Sequence, residues 1–254
     1  MIPARRIGRT FIIMAVLLEH ISVGAVSRAD DKPLRKIDID LGQSRYLRPS
    51  PRNHILLSCF YYPGLMVKQL DDPGMKGVRW VTITPLVNGQ EPQCRRSHGP
   101  DEQFIAKGWW GFIGVEKQLL LLEAADGQDD GTAVRVFDLK SKKKIFEDSI
   151  SLSHFRIEFA HTQDGKVSGM KYLRVVRGDC SLPKDGKACW QRFRQQFGLS
   201  QESVPTCTGY EGEQPVPAEE EQTESAITYP VVVELFPQPA IKALSGPITC
   251  RPLE

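Results

Sequence analysis

Apolar residues along this chain fall in short runs rather than long amphipathic stretches, and the runs are punctuated by pairs of turn residues. Runs rich in β-branched, aromatic or leucine residues at 54–60, 78–84, 119–123, 132–139, 155–159, 172–176 and 229–236 predict strands. In the fifth of them Phe155, Ile157 and Phe159 alternate with His154, Arg156 and Glu158, as in a strand with one wet face. Between the runs, Asn88-Gly89 and Asp164-Gly165 suit type I′ hairpin turns, and Pro63-Gly64 and Pro73-Gly74 suit type II. Only residues 188–197 carry a helical period, with Trp190, Phe193 and Phe197 on one face and Gly198 as the stop. The expected fold class is mainly β: an antiparallel meander, either a small or incomplete propeller-like array or a β-sandwich, with one short helix.

The N-terminus departs from this pattern. Arg5, Arg6 and Arg9 precede a short apolar run from Thr10 to Leu18 that Glu19 and His20 break, and small residues follow. Residues 1–29 therefore read as an export signal with cleavage after Ala25 or Ala29, and the apolar run falls short of the roughly 20 residues a membrane span needs. Cleavage after Ala25 removes three arginines and one glutamate and brings the formal charge from +2 to 0. A near-neutral mature chain gives no electrostatic reason to bind nucleic acid, and Lys142-Lys143-Lys144 reads as a solvated hairpin turn. Residues 30–254 are expected to form one β-rich domain in the periplasm or outside the cell, with no stable membrane span.

Six cysteines in an exported chain argue for a disulfide-stapled fold. Cys180 and Cys189 flank a turn-rich segment, so a local bridge between them is the first expectation; by default Cys59 pairs with Cys94 and Cys207 with Cys250. The last bridge would close an acidic excursion at 210–225, which carries Glu211, Glu213, Glu219, Glu220, Glu221 and Glu224 and is expected to be disordered.

The segment from Asp130 to Lys144, with Phe137-Asp138 where that family has Trp-Asp, resembles the outer hairpin of a WD-type β-propeller blade. Turns at Asn88-Gly89, at Asp126 to Gly131 and at Asp164-Gly165 recur about every 36–40 residues, near a blade period. The resemblance implies a small or incomplete propeller used as a binding platform.

Chemistry is sparse. No CxxC or HExxH is present, and His154 and His161 stand an odd number of positions apart, which in a strand places them on opposite faces. Carboxylates at Asp126, Asp129 and Asp130 suggest a calcium loop, the one cofactor the residues raise, although Phe137 stands where an EF-hand needs its bidentate glutamate. Otherwise no cofactor is expected. His154 and Glu158, four residues apart on one face of the strand, are the candidate acid–base pair, and Ser97-His98 would need a third partner that the sequence does not identify. Trp109 and Trp110, between glycines, are candidate ligand contacts, because adjacent strand residues point to opposite faces and one of the two would meet solvent. No GxSxG and no phosphate-binding loop occurs. The reading is an exported, non-enzymatic binding or envelope-associated protein whose partner is a protein or a glycan. The alternatives are a secreted hydrolase using His154 or His98 with nearby carboxylates, and an inhibitor presenting the segment between Cys180 and Cys189.

Overall fold

The computed structural model describes residues 31–86, 89–127, 131–209, 216 and 220–253. The segment read as an export signal, Asn88, Asp129, Asp130 and most of the acidic tract lie outside the described residues. A five-stranded antiparallel sheet comes first, ordered as in the chain: β1 (Arg35–Gln43), β2 (His54–Tyr62), β3 (Leu65–Asp71), β4 (Val78–Pro85) and β5 (Gln103–Lys107). A second meander follows in β6 (Trp110–Glu116), β7 (Leu119–Ala124), β8 (Gly131–Asp138) and β9 (Lys143–Ser151). Last come β10 (Glu158–His161), β11 (Val167–Arg177), helix α1 (Leu182–Phe197), β12 (Ser225–Glu234), β13 (Ala240–Ala243) and β14 (Thr249–Pro252). Strands β6 to β9 join β11 to β13 in one sheet path through a single pairing, Arg174 with Ile150. The two halves of that path share one core, and no closed barrel forms among the described strands.

Strand β7 shows why the layers stack. Leu119 and Leu121 enter a core with Val134, Val136, Val231, Tyr229 and the α1 residues Trp190 and Phe193. Leu120 and Leu122 face the other way, into a core with Tyr62, Val67, Val81 and Ile83 of the first sheet. All four leucines are fully buried, so the run at 119–122 is apolar throughout because both faces are covered. Burying each such side chain contributes about 1.5–3 kcal/mol before entropy is counted. The outer face of the first sheet, with Leu57, Cys59, Tyr61, Met66 and Leu70, forms a third core under the loop that carries Cys94.

Three bridges, Cys59–Cys94, Cys180–Cys189 and Cys207–Cys250, join the expected pairs, and no described cysteine is free. Several local expectations are corrected. Residues 152–155 form a turn, closed by Phe155 N–H donating to Leu152 O (3.3 Å), residues 155–157 are irregular, and β10 begins only at Glu158. Hydroxyls there compete with the strand ladder: Ser153 Oγ lies 3.2 Å from Ser151 Oγ and 3.0 Å from His154 Nδ1. The helix starts at Leu182, six residues earlier than its apolar period suggests, because Ser181 caps it, Pro183 fits its first turn, and Gly186 (φ 48°, ψ −118°) absorbs a kink. Gly74 is not left-handed, so Pro73-Gly74 is no type II turn. Its missing side chain serves a close approach instead, since a Cβ there would lie 2.6 Å from Tyr46 Cβ. At Asp164-Gly165 only the glycine has positive φ, and Gly165 N–H donates to Thr162 O (2.9 Å), a type I turn with a bulge rather than type I′.

Candidate functional site

The β5–β6 connection, Gly108-Trp109, carries the chain from the first sheet to the second, and both residues have positive φ, 58° and 40°. Trp110 N–H donates back to Gly108 O across Trp109, and in such a left-handed backbone glycine or asparagine is the low-cost choice and a tryptophan is strained. Trp109 is thus a turn residue, 52% exposed, while Trp110 opens β6. Trp110 packs against the core between the sheets, with the Arg135 guanidinium 3.7 Å from its ring centroid and Arg135 held in turn by Glu147 (3.0 Å). Of the two tryptophans, only Trp109 is presented outward.

Neighbouring loops leave the strands at the same end and touch one another. A Cβ on Gly77 would lie 2.7 Å from the Trp109 backbone, so the β3–β4 loop lies directly against the tryptophan turn. Lys76 pairs with Asp126 and holds its ammonium 5.1 Å from the Trp109 ring centroid. Ala125 N–H donates to Trp109 O (2.6 Å), which ties in the β7–β8 loop. Beyond it a Cβ on Gly127 would clash with Leu152. At the other side Gly74 abuts Tyr46, whose ring carries the Arg45 guanidinium at 4.9 Å. The result is a row of exposed large side chains, Leu47, Tyr46, Met75, Trp109 and Leu152, running across the loop ends of both sheets.

This row has a rigid base. Asp72 is fully buried; it accepts from Arg79 Nε (2.9 Å) and Nη2 (2.6 Å) and from Gly74 N–H (3.1 Å). Burial alone would raise its carboxyl, but hydrogen bonds from Ser44, Arg79 and Gly74 outweigh it and hold the group below the usual aspartate range.

A second cluster lies on the outer face of the first sheet. Lys68, 1% exposed, donates to Arg95 O (3.0 Å), Ser97 O (3.1 Å) and Glu102 Oε2 (2.8 Å), which uses all three of its protons. Glu102 also accepts from Thr82 Oγ1 (2.6 Å), His98 Nδ1 (2.8 Å) and Gly99 N–H (3.1 Å). Desolvation opposes its ionisation, yet these donors bring the carboxyl down to about 2. An ionised carboxylate can only accept, so Nδ1 is the His98 donor in this contact. The imidazole stands between Trp80 (4.8 Å) and Phe104 (4.6 Å). Glu102 is the partner that the Ser97-His98 sequence lacked. Neither Lys68 nor Glu102 stood out in the chain: a lysine inside a strand reads as a wet-face residue until the opposite face is known to be covered.

The other candidates separate. His154 sits on the turn against Ser153, while Glu158 lies on β10 with Arg156 and Lys171, each at 3.7 Å, so the structure does not assemble them into an acid–base pair. His161 instead meets the buried Glu116 through Nε2 (3.0 Å). Asp126 is engaged by Lys76, Asp129 and Asp130 lie outside the described residues, and no group of three or more metal-ligating side chains occurs among the described residues. The segment between Cys180 and Cys189 is occupied by the start of α1, and Lys184 Nζ donates to Gln222 Oε1 (2.7 Å). No helix among the described residues is long and apolar enough to cross a membrane. The chain matches no protein-family model, no curated protein and no solved structure.

Proposed function

We propose that this is an exported, non-enzymatic binding protein that engages a partner protein through the loop edge around Trp109. The carrying observation is Trp109 itself, a half-exposed bulky residue kept in a left-handed conformation that its own chemistry disfavours. Around it the edge is rich in Tyr, Met, Leu and Arg, much of it the composition that protein interfaces favour. A protein fits better than a stacked sugar, because the Lys76 ammonium already lies over the Trp109 ring. Export rests on the N-terminal signal pattern and agrees with three disulfides.

A photo-crosslinking residue placed at Met75, on the same loop edge with Trp109 kept, in the chain expressed in its own host, tests the reading. A defined adduct that is missing when the same residue replaces Lys242 supports it; equal labelling from both positions overturns it. Intact mass of the exported chain tests the compartment, with loss of residues up to Ala25 or Ala29 expected.

One observation favours a second reading, a secreted hydrolase: a buried, ionised Glu102 holds the half-exposed His98 through Nδ1 (2.8 Å), as an orienting carboxylate holds a general base. Its test is hydrolysis of a panel of ester and glycoside substrates by the wild type and by His98→Asn. Equal rates would remove this reading.

A further inference from the structure

The loop edge around Trp109 carries its charge unevenly. The β1–β2 connection, residues 44–53, contains Arg45, Arg48 and Arg52 and no acidic residue, and all three arginines are exposed. Its backbone is closed from within. Ser44 N–H donates to Asn53 O (2.7 Å) and Asn53 N–H to Ser50 O (2.9 Å). Asn53 Nδ2 donates to Arg48 O (2.7 Å), Gln43 Nε2 to Ser50 O (3.1 Å), and Ser50 N–H back to Gln43 Oε1 (3.2 Å). None of these bonds uses a guanidinium. Arg45 donates to the hydroxyl of its neighbour Tyr46 (2.7 Å), and the guanidiniums of Arg48 and Arg52 meet no carboxylate among the described residues. The adjoining β3–β4 loop neutralises itself: Asp72 takes Arg79 (2.6 Å), and Lys76 pairs with Asp126. Asp71, at the end of β3, is the carboxylate left over, against three guanidiniums. A loop braced by its own amides and hydroxyls holds these arginines on a fixed backbone, ready to take carboxylates with their forked donors.

We infer that the partner of this edge presents an acidic protein surface, with Asp or Glu side chains seated on Arg45, Arg48 and Arg52 and apolar groups covering Tyr46 and Leu47. The inference rests on the reading of the edge as a protein-binding surface. Arginine and tyrosine are the residue types that carry most of the energy in protein interfaces, and here they alternate with a leucine on one short loop. The charge asymmetry along the edge favours a protein over a membrane. Its far part holds Asp126, and Asp129 and Asp130 follow in the sequence. An anionic bilayer would meet both parts together and be repelled at the second. A folded partner can carry carboxylates opposite the arginines alone. Exposed guanidiniums also attract such a partner over roughly a Debye length, about 8 Å at physiological salt, so the complex weakens as salt rises.

The photo-crosslinking residue at Met75, in the chain expressed in its own host, tests the inference. In that background Arg48→Glu/Arg52→Glu is expected to lower the yield of the adduct about tenfold or more, with the melting temperature unchanged. Arg48→Lys/Arg52→Lys keeps the charge and loses the fork, and an intermediate yield is expected. A control of equal charge, Lys140→Glu/Lys143→Glu beside the turn between β8 and β9, remote from this edge, leaves the yield unchanged. With no arginine altered, irradiating cell extract in about 500 mM salt rather than about 50 mM is expected to weaken the adduct as well. Full yield in Arg48→Glu/Arg52→Glu, or at the higher salt, overturns the acidic partner and leaves the protein-binding edge standing. Absence of any adduct with the arginines intact overturns the edge itself, and the acidic partner with it. Sedimentation of the purified wild type with phosphatidylglycerol vesicles, lost in Arg48→Glu/Arg52→Glu, overturns the protein partner in favour of an anionic membrane.

Discussion

Trp109 carries a cost that its position explains. A bulky side chain at φ 40° gives up about 1–3 kcal/mol relative to a residue at ease there, offset in part by the Lys76 contact at about 0.5–1 kcal/mol. Trp109→Asn should therefore leave the urea midpoint unchanged or raise it while abolishing the crosslinked adduct; a loss of more than about 1 kcal/mol would mark Trp109 as a packing residue instead. Glu102 makes a different prediction. Its carboxyl titrates near 2 in the fold against an ordinary value of 4.5, so its contribution is complete above pH 4.5 and is lost as pH falls toward 2. The shift corresponds to about 3 kcal/mol. Glu102→Gln should cost about 3–5 kcal/mol at neutral pH, since it strands a buried lysine, and should flatten that part of the acid transition. Adding Lys68→Met should recover most of the loss, as read in urea titrations at both pH values. At this scale the sequence was half legible. The Trp-Trp pair stood out by composition, but which ring meets solvent depends on a two-residue connection that no periodicity encodes. Lys68, between Val67 and Gln69 in an alternating strand, carried no local mark of burial at all.

Strands and the helix were legible where their patterns were strong and obscure where function or an edge intervened. Strand β1, with Arg35, Lys36, Asp38 and Asp40, is polar because it is an edge strand, and such charges protect an edge from further pairing. The same charges hid it from an apolar pattern. Strand β7 was visible, but that its leucines divide between two cores was not, because the partners Val81 and Val231 come from distant parts of the chain. Leu120→Ala should cost about 2–5 kcal/mol by denaturant titration, a cavity between sheets. At α1, Ser181 Oγ donates to Glu221 O (2.5 Å) and accepts from Lys184 N–H (3.3 Å). Ser181→Ala should cost about 0.5–2 kcal/mol, and far-ultraviolet circular dichroism with the melting temperature checks whether the first turn frays.

For the whole molecule, the bridges divide the labour between folding and shape. Cys180–Cys189 closes a short segment and Cys207–Cys250 a long one, separated by 9 and 43 residues. Cys59–Cys94 does something further, since it fastens the loop at 89–102 to the first sheet. Replacing both Cys59 and Cys94 with alanine should cost about 2–4 kcal/mol and raise amide exchange across residues 89–102 more than in β7, which hydrogen-exchange mass spectrometry resolves. The even count of cysteines pointed to three bridges, and the short turn-rich segment between Cys180 and Cys189 to one of them, with the other two pairs taken by default; the stacking of the sheets was not legible, because it rests on contacts between residues far apart in sequence.

Asp31 gives the molecule an orientation. Its carboxylate accepts from the backbone N–H (2.6 Å) and the ammonium (2.9 Å) of Lys117, in the tight turn between β6 and β7, and its backbone bridges to Val115. That turn lies at the opposite end of β6 from Trp109. Asp31 is therefore fixed at the pole remote from the loop edge. A leash, fusion or surface attachment built on that side would hold the body like a stalked cup, with the tryptophan rim turned outward toward arriving partners.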